Sequence, residues 1–159
     1  MIEEIFSDGT KRYVYASLAS TSHLEVPFFS PFAVLIWTSA RSLAELRQRV
    51  CEQLIAAGCR HVIAAGIQAE EWDTSADLAF VKLFPDKATW DLNFVMTSSH
   101  RDESIEDVAF KFVVGTNFDH HYFTNFFLLH FGDDPAAKEA LVKAVRKEAK
   151  AAAQSSAAG

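Results

Sequence analysis

What this chain lacks narrows it first. Its 159 residues hold only two cysteines, Cys51 and Cys59, the first inside a predicted helix and the second just past its end. Eight helical positions separate Cα atoms by roughly 12 Å, beyond the ~7 Å that a disulfide bridges. Reduced thiols in a cytoplasmic protein are therefore the expectation. The start, MIEEIFSDGTKR, is acidic where a secretory signal would be basic, and no apolar run approaches the ~18 residues that span a bilayer. Positive charge is scarce as well. The net charge is -6, and residues 138–150 set Lys138, Lys143, Arg146, Lys147 and Lys150 against Glu139 and Glu148, so that this +3 segment leaves about -9 elsewhere. An acidic body repels phosphate backbones, which disfavours nucleic acid, with the basic last helix as the one reservation.

Signature motifs are missing too. No GxxxxGK[ST] or GxGxxG loop occurs, nor a GxSxG elbow or an HExxH pair, so no cofactor is expected. The strand ends Trp37-Thr38-Ser39 and Ala65-Gly66 lack the acidic and phosphoacceptor residues of a response-regulator receiver. His120 and His121 are adjacent, and adjacent strand residues point to opposite faces, so no metal site is expected from them. His130 lies in an apolar run and reads as a hydrogen-bonded core histidine, whereas His23 and His61 carry no signal.

What is present is a 50% hydrophobic composition in a chain of one-domain size. Residues 1–150 read as a single domain with no repeat or linker, and 151–159, only Ala, Ser, Gln and Gly, as a frayed or disordered tail. After a polar start with a turn at Asp8-Gly9, Tyr13 to Leu18 predicts an edge strand. Pro27 and Pro31 make the next stretch an extended loop, whose Phe28, Phe29 and Phe32 either fold back on the sheet or form a patch for a partner to bury.

Ala33 to Trp37 predicts a strand covered on both faces. A helix capped by Ser42 with Glu45, or a turn earlier by Ser39, follows with Leu43, Leu46, Val50 and Leu54 as its stripe and ends at Gly58. His61 to Ala65 is the next strand, and a helix from Asp73 or Thr74 to Pro85 turns Ala76, Phe80 and Val81 inward. Leu92 to Met96 predicts a buried strand, followed by a helix from about Glu103 to Gly115. Tyr122 to Phe131 predicts a central strand, and Asp134 caps a last helix with Pro135 in its first turn. Alternating strands and helices give a three-layer α/β/α sandwich with a mainly parallel sheet, flavodoxin-like or Rossmann-like.

In that architecture the strand carboxyl ends converge. They bring together Thr38, Ser39, Gly66, Gln68, Glu70, Glu71, Trp72, Asp73, Ser98 to Glu103, and Asp133. His100 with Glu103, or with Asp73 across the cleft, could serve as acid or base, since a carboxylate orients an imidazole and stabilises its cation. Ser99, Asp102 and Glu103 are equally what capping and the helix dipole select at a helix start. Trp72 either plugs the sheet end or lines a pocket.

Two stretches, CRHVIAAGIQAEEWDTSADLAF and VMTSSHRDESIEDVAFKF, together resemble a family of small bacterial proteins of unknown function. Its acidic-Trp-acidic turn corresponds here to Glu71, Trp72, Asp73 and Asp77, and its Met-Thr…His…Glu-Ser turn to Met96, Thr97, His100, Glu103 and Ser104. The resemblance implies a similar fold and no established activity.

Two functions follow as expectations. One is a partner-binding protein of immunity or antitoxin type, using the acidic edge or the Phe28–Phe29 loop, with a homodimer as a further possibility for the aromatic surface. The other is a small enzyme or ligand-binding domain in which His100 works with Glu103 or Asp73, while Trp72 and Glu71 hold the ligand.

Overall fold

The computed structural model describes residues 2–19, 23–28 and 30–158. The polar N-terminal segment forms strand β1 (Ile2–Ser7), which pairs antiparallel with β2 (Arg12–Leu18). The Asp8 carboxylate closes their turn, accepting from the N–H groups of Thr10 at 2.8 Å and Lys11 at 2.6 Å. After β2 come β3 (Phe32–Thr38), α1 (Ala44–Ala56), β4 (Cys59–Gly66) and α2 (Ala69–Leu83). A short 3-10 turn, α3 (Trp90–Asn93), β5 (Met96–His100), α4 (Ile105–Val114), β6 (Asn125–Phe131) and α5 (Pro135–Ala158) complete the chain.

The six strands lie in the order β1-β2-β6-β3-β4-β5, and every pair except β1 with β2 is parallel. Successive strand residues point to opposite faces, which sorts the core into two layers. Val34, Ile36, Val62, Phe127 and Leu129 pack under α1 and α2, while Leu35, Ile63, Phe126 and Leu128 pack under α4 and α5. The result is the expected three-layer α/β/α sandwich on a mostly parallel sheet.

Several boundaries move from their expected places. Apolar Leu92 to Met96 is not the strand: Leu92 is exposed in α3, and β5 is the polar Met96–His100. An edge strand bonds one neighbour only, here β4, and keeps one side solvated, so it needs no apolar run. α2 begins at Ala69 rather than Asp73, and Val81 turns outward. Ser42 and Glu45 form no capping box, because Leu43 is the residue that enters α1 and no side chain caps it. For α4 the cap is Ser104, whose hydroxyl accepts from the Asp107 N–H at 3.1 Å, and not Ser99, Asp102 or Glu103.

The tail does not fray at Ala151: α5 runs to Ala158, since alanine is the strongest helix former and Ala152 packs on the core. Phe28 is 4% exposed and packs against Phe32 and, edge-on, Phe127 at centroid distances of 5.5 and 6.4 Å, so it is core and not a binding surface. Phe29 lies outside the described residues. Both thiols are buried and unpaired, and burial raises the pKa of each. Among the described residues no helix is long and apolar enough to cross a membrane.

Candidate functional site

β3 and β6 are neighbours, yet β3 runs on to α1 on one face and β6 to α5 on the other. Connections that diverge in this way open a crevice at the strand carboxyl ends. A cleft of about 840 Å³ lies there. Thr38, Ser39 and Gly66 make its floor, and the start of α2 contributes Gln68, Glu70 and Glu71. Arg41, Arg101 and Asp102 rim it, and the first turns of α5 form a wall of Ala136, Ala137 and Ala140.

The floor is held by backbone geometry. Gly66 sits at φ +86°, and the next turn places Gln68 at φ +60°, a left-handed conformation that costs a residue with a Cβ about 1–2 kcal/mol. The Thr38 hydroxyl donates to the Ile67 carbonyl with that of Ala65 3.2 Å away, and the Ile67 N–H donates to the Thr38 carbonyl at 3.0 Å. The Gln68 side-chain oxygen accepts from the Ser42 N–H at 2.7 Å, which ties the loop after β3 to the loop after β4. Arg47 braces the same loop by donating to the Ser42 carbonyl at 2.5 Å. Its side chain is buried, and no salt bridge reaches it among the described residues.

A hydrogen-bonded chain runs beneath the floor. His130 of β6 is 1% exposed, with Nε2 2.7 Å from the Ser39 hydroxyl and Nδ1 3.0 Å from that of Tyr15 on β2. Ser39 is clamped to β6 by its N–H, which donates to the Phe131 carbonyl at 2.8 Å. Gly132 permits that approach: at φ +132°, a Cβ there would sit 2.8 Å from the Cβ of Ser39. Burial lowers the pKa of His130 and, with the Glu3 charge adding to it, pushes Tyr15 up to about 12. His130 is thus a buried, hydrogen-bonded histidine, and its partner serine opens on the cleft.

The residues expected to do chemistry are only partly brought together. His100 Nδ1 pairs with the Glu103 carboxylate, and its Nε2 lies 2.9 Å from the Ser98 hydroxyl. Glu103 also accepts from Lys111, and Lys111 first, then His100, hold its carboxyl below the usual range. This cluster belongs to the α4 face, because Ser98 and His100 alternate with Thr97, whose hydroxyl donates to Asp77 of α2 at 2.8 Å. Asp73 also belongs to α2, on the other side of the sheet, so the His100–Asp73 pair does not form.

Trp72 has no exposed surface and packs on Phe131 at a centroid distance of 6.0 Å. It plugs the sheet end and cannot stack on a ligand. Of the expected binding residues that are described, Glu71 alone lines the cleft. Among the described residues no cluster of three or more His, Cys, Asp or Glu side chains is placed to hold a metal ion.

Three buried or half-buried histidines give the fold a pH dependence. Burial is the first cause lowering the pKa of His61, His121 and His130; for His61 it outweighs the opposing bond from Nδ1 to the Thr116 carbonyl at 2.6 Å. The unfolded chain therefore binds protons that the folded chain refuses once pH falls below about 6.5. Stability is expected to be full above that value and to decline as pH drops toward the lowered folded-state pKa values. Urea midpoints taken near pH 7.5 and near pH 5.5 check it, and equal midpoints would refute it.

No curated protein and no solved structure matches this chain. A family model described as a domain of unknown function (DUF7684) matches residues 13–148, the span from β2 to most of α5, and the chain belongs to that family.

Proposed function

We propose that this protein binds a small polar molecule in the cleft at the strand carboxyl ends. One observation carries the reading: a cleft of about 840 Å³ over the β3/β6 switch point, with a partly open serine–histidine pair in its floor. That volume falls within the roughly 300–1,000 Å³ of small-molecule sites. Both signs of charge line it, and Arg101 is partly occupied by Glu70 at 3.6 Å and Asp102 at 3.7 Å. Glu71 and Asp134 add to the acidic side, which favours a neutral or cationic ligand over an anionic one. The alanine wall of α5 leaves room for a flat or aliphatic part.

The test is a thermal-shift screen of small polar metabolites on the wild type and on Ala137→Trp. Ala137 is half-buried on the cleft wall, so an indole there fills the cleft without entering the core. A ligand present at about 100 times its Kd stabilises by about 2.7 kcal/mol. That shift is expected in the wild type and absent in Ala137→Trp; equal shifts in both would sink the proposal.

A partner-binding domain of immunity or antitoxin type is the second reading. It draws on the outer edge of β5, where Leu92, Phe94 and Met96 are exposed beside unpaired strand backbone. Hydrogen exchange in a complex separates the two: a protein partner protects β5, whereas a small ligand protects the loops after β3 and β4.

A further inference from the structure

We infer that Ser39 is a nucleophile, with His130 as its base and Tyr15 orienting the imidazole, and that the cleft takes small neutral or cationic carboxylic esters. The inference rests on the cleft being a ligand site and adds the chemistry done there. Its first support is geometric. A serine hydroxyl 2.7 Å from an imidazole nitrogen, whose other nitrogen is 3.0 Å from a third group, is the arrangement that serine acyl transfer uses. In the tautomer with the proton on Nδ1, the Tyr15 oxygen accepts that N–H and Nε2 accepts the Ser39 O–H.

The second support is placement. Ser39 lies on the cleft floor, where a substrate can reach it, while His130 and Tyr15 are 1% and 3% exposed behind it. The imidazole ring is buried, and the serine bonded to its Nε2 faces the cleft, the side from which ester and water reach both. Gly132 and the Ser39–Phe131 backbone bond fix the serine against β6.

A fourth group, a backbone donor, lines the same cleft. α5 starts on the same cleft, where the Ala136 N–H is taken by the Asp134 carboxylate at 3.1 Å and the first helical bond runs from the Lys138 N–H to the Asp134 carbonyl at 3.0 Å. The Ala137 N–H falls between them, among the donors that a helix start leaves without an intrahelical partner. It is the donor available for an oxyanion on an acyl group bound against the alanine wall.

The steps balance with water as the second substrate. The Ser39 Oγ–H proton passes to His130 Nε2 as Oγ bonds to the ester carbon. The C–O bond to the alcohol then breaks, and the alcohol leaves with the proton from Nε2. Water, deprotonated by the same nitrogen, attacks the acyl-serine, and Oγ recovers that proton as the carboxylic acid departs.

The experiment treats the full chain with diisopropyl fluorophosphate and with p-nitrophenyl acetate. Intact mass and peptide mapping are expected to show one phosphoryl adduct, on Ser39, with none in Ser39→Ala. His130→Gln is expected to label at least about 100-fold more slowly, the usual contribution of a positioned base. Tyr15→Phe still labels, but removing the acceptor from Nδ1–H lowers the basicity of the imidazole, so its pH profile inflects at lower pH. A purely structural tyrosine would leave that inflection in place. Should His130→Gln fail to fold, Ser39→Ala and the Tyr15→Phe profile still decide, because Ser39 is only half-buried. An unlabelled wild type whose ligand response is still abolished by Ala137→Trp overturns the nucleophile and leaves the ligand site standing. Labelling of a different residue overturns it as well, and loss of both signals removes the cleft reading itself.

Discussion

Gly66→Ala is expected to destabilise the protein by about 3 kcal/mol and to abolish any ligand response of the cleft. Gly66 ends β4 opposite Thr38 of β3, at φ +86°. The left-handed conformation alone costs a residue with a Cβ about 1–2 kcal/mol. The added carbon would also lie 2.3 Å from the Thr38 carbonyl oxygen and 3.2 Å from the Thr38 nitrogen and carbonyl carbon, all of them backbone. No rotamer change relieves that overlap. Thr38 is buried and its carbonyl already accepts from Ile67, so β3 or the β4–α2 turn must shift, at the about 1–3 kcal/mol typical of overpacking.

Gly9→Ala separates the two contributions. Gly9 has the same φ of +86°, and a Cβ added there would meet nothing within 4 Å, so it carries the conformational penalty without the collision. Urea unfolding with an unchanged slope should place the Gly66 variant well below the Gly9 variant. Equal midpoints would mean that the floor of the cleft yields easily, which would count against a preorganised site.

How far the sequence discloses all this depends on how local each feature is. β3 and β6 are legible as apolar runs because helices cover both of their faces, whereas β5 is misread because an edge strand needs no such run. The start of α2 is obscured for a related reason: Gln68 enters it in a left-handed conformation with no side-chain cap, so the usual signal is missing. His100 and Glu103 are three residues apart, and their pairing is readable from spacing alone. Tyr15 and His130 come from two strands, and Ser39 is the first residue after a third. They meet only because β6, fifth of the parallel strands along the chain, is inserted between β2 and β3. Nothing in the residues around any one of them records that insertion. Alternation along β6 gives His130 a face, but not its neighbours.

The same distinction governs Trp72, where the expected outcomes are a loss of about 3–5 kcal/mol for Trp72→Ala and a much smaller loss for Trp72→Phe. The indole is fully buried between α2 and the sheet, against Phe131, so truncation to alanine opens a cavity in the layer under α1 and α2. Its Nε1–H, also buried, has no hydrogen-bond partner among the described residues. A buried donor left unpaired carries a penalty of about 1–3 kcal/mol, which phenylalanine removes while keeping most of the ring in place. The relief offsets much of the lost packing, leaving a net loss of about 1 kcal/mol. Chemical denaturation of the three proteins measures this directly, and near-equal losses for Phe and Ala would show that the indole N–H is satisfied in solution. The ligand response adds a second axis. Trp72 lies behind the cleft floor and not on it, so Trp72→Phe should bind as the wild type does. A stable Trp72→Phe protein that no longer responds would instead make the acidic-Trp-acidic turn a ligand contact, and would require the floor at Gly66 and Gln68 to open toward α2.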